Sequence, residues 1–196
     1  MRPFDLPCPA DLRCVELEAE DIPALQCFFD SNPDYFLLVG GEPPGPDLAA
    51  EEFHQLPPAE LKYNRTYYLA FIPHEGHAPW RAIAQLTSDL MAEGVFHIGL
   101  FIVATARHGQ GDASALLASI ERWALAQGAR WLRLGVVVGN ARAERFWAAQ
   151  GFVELRQRHG VATGPRLNSI RVMLKPLAGK TQADYLALVE RDRPDR

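Results

Sequence analysis

Apolar and polar positions alternate over residues 12–17, the period of a half-buried strand. After Glu20-Asp21 the period lengthens. Ile22, Leu25, Phe28 and Phe29 share one helical face, and Pro23 falls in the first turn, where its missing N–H costs no hydrogen bond. Ser31-Asn32-Pro33 predicts the end of that helix, and the Gly/Pro-rich residues 40–46 predict a loop. Asp47 is placed to cap a second helix that runs to about residue 55 and stops at Pro57-Pro58. Residues 66–72 and 81–86 read as antiparallel strands joined by a long loop, and residues 95–103 as a strand apolar enough for the sheet centre. Ala113, Leu116, Leu117, Ile120, Trp123 and Ala124 then recur at helical spacing up to a Gly128 stop. Residues 131–138 form another buried strand, and Asn140 caps a short helix ending before Gly151. Residues 152–158 and 169–174 supply the last two strands. This order predicts a single α/β domain over residues 1–178, a mixed and mostly antiparallel sheet flanked by helices. A polar tail follows over residues 179–196, with one helical turn near Tyr185, Leu186 and Leu188.

At 196 residues, 48% of them apolar and 22% charged, the chain has the balance of a globular domain, not of a disordered or fibrous one. Its longest apolar run falls well short of the ~20 residues that span a bilayer, and its first residues lack the apolar stretch of a secretion signal. Cys8, Cys14 and Cys27 are odd in number and lack metal spacing, which suits a reducing cytoplasm. His74 and His77 have no third ligand near them in sequence, so no metal is expected. Residues 1–62 hold 13 acids and three bases (−10), and residues 63–196 hold 11 acids and 17 bases (+6), which together give the net −4. That charge argues against nucleic acid as a partner, while the asymmetry matches an acidic side for a cation and a basic side for phosphates.

Residues 103–113, Val-Ala-Thr-Ala-Arg-His-Gly-Gln-Gly-Asp-Ala, follow a buried strand and open a helix. Glycines let a backbone approach a ligand and turn its N–H groups toward it, and a helix N-terminus adds a partial positive charge. The combination makes an anion site for phosphate or pyrophosphate. It is not a Walker loop, because no Lys-Ser/Thr follows Gly111, and the glycine spacing is wrong for a dinucleotide fingerprint.

These residues carry a resemblance. His108-Gly109-Gln110-Gly111-Asp112-Ala113 is similar to the Arg/Gln-x-x-Gly-x-Gly/Ala signature of the GNAT superfamily of N-acetyltransferases. Residues 140–152, from Asn140 through Ala143, Phe146 and Trp147 to Gly151-Phe152, match that family's Asn-x-x-Ala-x-x-aromatic-Tyr-x-x-x-Gly-Phe motif. The resemblance covers about residues 12–175. It implies that acetyl-CoA binds where two central strands splay apart, with the pantetheine arm along Phe101, Ile102 and Val103. The pyrophosphate would lie on the backbone of Gly109, Gln110, Gly111, Asp112, Ala113 and Ser114, with His108, Asn140 and Trp147 also expected against the cofactor. The acetyl group would pass directly to a primary amine of a small molecule or peptide. Homodimers are common in the family.

Three positions depart from the family pattern. His108 replaces Arg/Gln, with Arg107 one residue early. Asp112 stands at an apolar position, where a carboxylate would repel pyrophosphate unless it faces away. Trp147 replaces the Tyr that many members are thought to use to protonate the leaving thiolate, and indole N–H cannot serve as that acid. Tyr35, Tyr67, Tyr68 and Tyr185 are the alternative donors. Six residues before Val103, where many members place a Glu base, this chain has His97, which becomes the candidate general base. The acidic, aromatic residues 21–61 would face the acceptor and favour a cationic amine. The same departures fit an alternative, a CoA-binding module that has lost transfer.

Overall fold

The computed structural model describes residues 1–75 and 78–194, so His77 lies outside the described residues. In chain order it comprises β1 (Arg2–Pro3), β2 (Leu12–Glu16), α1 (Ile22–Asp30), α2 (Pro33–Val39), α3 (Leu48–His54), β3 (Arg65–Pro73), β4 (Ala82–Ser88) and β5 (Val95–Val103). Then follow α4 (Asp112–Ala126), β6 (Trp131–Val137), α5 (Ala141–Ala149), β7 (Val153–Thr163), β8 (Arg166–Pro176) and α6 (Gln182–Leu188). The strands form one sheet in the order β1-β2-β3-β4-β5-β6-β8-β7, antiparallel except for the β5–β6 pair.

Both faces of the sheet centre are covered, which is why its strands read as continuous apolar runs. Ala70, Ile72, Ile83, Leu100 and Ile102 face α1–α3, where Leu25, Phe28, Phe29 and Phe36 pack on them. The alternate set, including Leu69, Phe71, Ala84, Phe96 and Ile98, faces α4 and α5 through Leu116, Leu117, Ile120, Trp123 and Trp147. No described helix is long and apolar enough to cross a membrane.

Three elements differ from the sequence expectation. Pro33, read as a stop, sits in the first turn of α2, a position where proline also begins helices. β7 and β8 run to a tight turn at Gly164 in place of the expected loop. The hairpin tip reaches α2, where Thr163 Oγ1 and Asn168 Nδ2 donate to Val39 O at 3.0 and 2.8 Å. The polar stretch from residue 179 enters the core. Thr181 caps α6, Tyr185 is fully buried, and both join Trp131 of β6 and Leu174 of β8 inside the sheet, with Trp131 Nε1 donating to Thr181 O at 2.9 Å.

The β5–β6 pair positions the site. Parallel pairing runs only from Val95↔Trp131 to Ile98↔Leu134, and the strands then part although each continues. A bulge opposite Gln85 and Leu86 falls at the same level, at Gly99. A wedge therefore opens at the sheet centre, with a cavity on either side of it.

Candidate active site

The smaller cavity, about 430 Å³, lies between the end of β5, the 105–111 loop and α5. Ala104 N–H donates to Arg81 O at 2.9 Å, so the Ala104 backbone faces β4. By alternation, Val103 and Phe101 turn their backbone groups into the gap. His108 takes one of them, with Nε2 2.9 Å from Val103 O. Its Nδ1 lies 2.6 Å from Arg142 Nη1, which can only donate, so Nδ1 accepts and Nε2 carries the hydrogen. His108 thus fastens Arg142 of α5 to the strand end, and Phe101 keeps a free backbone edge toward the gap.

At the loop, Gly109 and Gly111 adopt φ of +78° and +86°, and nothing lies within 4 Å of where a Cβ would stand on either. Gly111 is the N-cap of α4, so the first N–H groups of a 15-residue helix open onto this space. Asp112 is the first residue of that helix and borders the cavity. Its carboxylate is held by Arg107 Nε at 2.8 Å and Arg81 Nη1 at 3.0 Å, and Arg107 with Arg81 keeps it below the ordinary carboxylate range. The acid is thereby neutralised and fixes Arg107 on the cavity wall. Ala113 and Ser114 line the wall, Ser114 Oγ accepting from Gln150 Nε2. The Gln110 side chain does not line it but folds back to donate to Ala106 O. Asn140 Oδ1 accepts from Ala143 N at 3.1 Å, capping α5 at the cavity mouth. Trp147 is buried against Phe101, Phe146 and Phe152 and closes the floor.

The larger cavity, about 740 Å³, lies beyond the bulge under the β7–β8 tip. Gln85, Thr87, His97 and Gly99 form its floor. One wall comes from the α2–α3 region and carries Glu42, Glu51 and Glu52, and the opposite wall carries Arg133, Arg158 and Arg191. Glu52 is half-buried, and burial, then the neighbouring Glu51, raises its pKa. His97 Nδ1 lies 3.1 Å from Arg133 O and 3.3 Å from Arg133 Nη1. Burial, then the Arg133 guanidinium, lowers its pKa to about 3, so the ring is neutral across the physiological range.

Tyr35 on α2 borders both cavities, and burial, then Glu52, holds its hydroxyl protonated well above the ordinary range. The other tyrosines lie elsewhere. Tyr67 packs on Phe4 and Trp123, Tyr68 is buried in the core against Phe53, and the Tyr185 hydroxyl donates to Asp192 at 2.6 Å. Sequence reasoning missed Glu52, Arg158 and Arg191. Glu52 had a signal, since it shares the inward face of α3 with Leu48, Ala49 and Phe53. The arginines had none, as they come from strands and a terminal turn far apart in sequence. Among the described residues no group of three or more His, Cys, Asp or Glu is arranged for a metal.

A splayed parallel strand pair thus separates a cavity with a glycine loop from a larger polar cavity. The model of the acetyltransferase (GNAT) family matches residues 25–152, and the chain belongs to that family, whose co-substrate is acetyl-CoA. Comparison with curated proteins finds no match. Among solved structures, the chain is similar to an acetyltransferase from Thermus thermophilus (23% identity, 85% of this chain and 97% of that one, TM-score 0.63). It is similar to the ribosomal-protein-S18-alanine N-acetyltransferase from Escherichia coli (18%, 87% and 97%, TM-score 0.59). It is also similar to spermidine N-acetyltransferase from Vibrio cholerae, solved with CoA and spermine (17%, 91% and 99%, TM-score 0.62). At these identities the likeness is one of fold.

Proposed function

We propose that this chain transfers acetyl from acetyl-CoA to the primary amine of a small molecule, with donor in the smaller cavity and acceptor in the larger. The observation that carries this reading is the junction. Two cavities of different chemistry meet across Gly99–Phe101 of β5, and Tyr35 borders both. Acetyl-CoA supplies an acetyl thioester, and the thiolate is its leaving group.

The smaller cavity fits that molecule. The open glycine loop and the start of α4 suit a pyrophosphate, Arg107 and Arg142 add charge, and the Phe101 edge offers backbone pairing to a pantetheine amide. His108 acts through Arg142, and Asp112 through Arg107. The amine arrives as an ammonium with a pKa of roughly 10 and must lose a proton before attack. A group whose pKa is near 3 takes that proton poorly, so His97 is a weak base in this setting. Glu52, raised and half-buried on the facing wall, is the better one, and the acidic wall it shares with Glu42 and Glu51 attracts the cation. Tyr35 borders both cavities and keeps its hydroxyl hydrogen, so it would hydrogen-bond the departing thiolate, which then takes its proton from solvent.

Calorimetric titration with acetyl-CoA, then free-thiol release against a panel of primary amines, tests this. The expected result is micromolar binding and thiol release that depends on the amine. Absence of binding, or slow release that no amine accelerates, would overturn transfer and leave a CoA-binding module.

A further inference from the structure

Amine chemistry alone accounts for only half of the larger cavity. Its acidic wall suits an ammonium, but the wall opposite is cationic, and its three arginines are not in the same state. Arg133 is already paired. Its Nε and Nη2 donate to the fully buried Asp192 at 2.6 and 3.1 Å, and Nη1 points to His97. Arg158 on β7 is half-buried, and its guanidinium has no hydrogen-bond or ion-pair partner among the described residues. Among the described residues the Arg191 guanidinium has one ion pair, to the largely exposed Glu60 at 3.9 Å, and it also feels the charge of Asp192. Burial, then Arg191 and Arg133, depresses the Arg158 pKa, and Asp192, already bound to Arg133, opposes that shift only in part.

The positions are also fixed. Arg156 Nη1 donates to Arg191 O at 2.8 Å, Arg193 Nε donates to Leu186 O at 3.0 Å, and Tyr185 and Arg133 clamp Asp192 beside them. Bringing two guanidinium groups to one wall costs electrostatic energy, and a rigid backbone holds them there facing the cavity. Arginine's planar fork matches carboxylate and phosphate oxygens in a way a solvated lysine does not.

We infer that the acceptor amine also carries an anionic group, and that Arg158 and Arg191 bind it while the amine end lies toward Glu52. The class is a zwitterion, an amino acid or a phosphorylated amine, in place of a polyamine. This rests on the acetyl-transfer reading above and names the substrate class of the same cavity.

The test compares thiol release and calorimetric binding, on the CoA-bound chain for the latter, with matched acceptors. Amino acids are set against their carboxamides, O-phosphoethanolamine against ethanolamine, and spermidine stands as the polycation without an anionic group. Wild type should prefer the anion-bearing member of at least one pair, and which pair responds separates carboxylate from phosphate. Arg158→Gln and Arg191→Gln should each cut that preference by roughly 10–100-fold in kcat/KM. Both should leave acetyl-CoA affinity unchanged, since neither residue borders the smaller cavity. Equal or better use of ethanolamine, the carboxamides or spermidine, with the Arg158→Gln ratio unchanged, would overturn the inference and spare acetyl transfer. If no amine releases thiol, transfer fails, and anion-dependent binding by calorimetry still decides the inference. Binding lost in Arg158→Gln supports it, and equal binding within every pair overturns it.

Discussion

The two cavities flank one strand and are built from different materials. The smaller one is organised around one continuous stretch, the Phe101 edge, the 109–114 loop and the start of α4, with side chains of α2 and α5 closing it. The larger one draws side chains from α2, α3, β4, β5, β6, β7 and the turn after α6, spread from Tyr35 to Arg191. In the proposed reading a backbone cradle would bind what every family member shares, and it would tolerate His108 and Asp112 because Arg142, Arg107 and Arg81 pair with them. A side-chain cavity can be rewritten residue by residue while the fold stays. The similar structures, with different amines in their names, are consistent with that division.

The comparison predicts that catalytic loss and cofactor loss separate cleanly. The largest effect is expected from Glu52→Gln, which removes the proposed base. Its kcat should fall by about 10²–10⁴, while the acetyl-CoA dissociation constant stays within about twofold of wild type by calorimetry. An equal loss in His97→Gln with Glu52→Gln fully active would return the base to the floor of the cavity.

Next in size is the clamp beneath the arginine wall. Asp192→Ala leaves Arg133 charged and buried without its partner, and removing one member of such a pair costs about 3–5 kcal/mol. Chemical denaturation should show that loss. At a temperature where the variant stays folded, KM for the amine should rise with little change in acetyl-CoA binding. A matching collapse of cofactor affinity would mean the two cavities are not independent.

On the other side of the strand, Gly111→Ala places a Cβ on a residue at φ +86°. The left-handed region costs a non-glycine residue about 1–2 kcal/mol. If that strain falls on the loop, acetyl-CoA binding should weaken roughly tenfold, with amine KM unchanged. An unaltered dissociation constant would show that the loop does not grip the cofactor through this turn.

The same contrast explains what the sequence made visible. The β5–loop–α4 unit and the capped α5 were legible because each is written in consecutive residues, through glycines, a cap and helical spacing. Helix α2 was not, because Pro33 reads as both a stop and a start. The extended β7–β8 hairpin was not, because residues 159–168 hold His159, Gly160, Gly164 and Pro165 and alternate weakly. Tyr185 and Asp192 looked like members of a polar tail. Their burial depends on Arg133, some fifty to sixty residues away, which no local pattern announces. His97 was found by counting along β5, and it lines the larger cavity, but its protonation is set by burial and then by Arg133 across the sheet, which no count along one strand announces.

That chemistry gives the smallest and most specific prediction. His97 titrates near 3 in the folded chain and near its ordinary 6.5 when unfolded. Its folded pKa is depressed, so between those values the unfolded chain binds the extra proton. Stability associated with neutral His97 is therefore complete above pH 6.5 and declines as pH falls toward 3. The slope is at most about 1.4 kcal/mol per pH unit, and allowing for the partly exposed ring the loss between about pH 7 and 5 is roughly 1 kcal/mol. Denaturation midpoints measured at both pH values should show this loss in wild type and not in His97→Gln. The kcat/KM profile of wild type over the same range should carry no inflection from His97, leaving its acid limb to Glu52. Should His97→Gln keep the whole stability slope, the ring titrates normally in the folded chain. Arg133 would then not be suppressing its basicity, and the electrostatic reason for placing the base on the opposite wall would be gone.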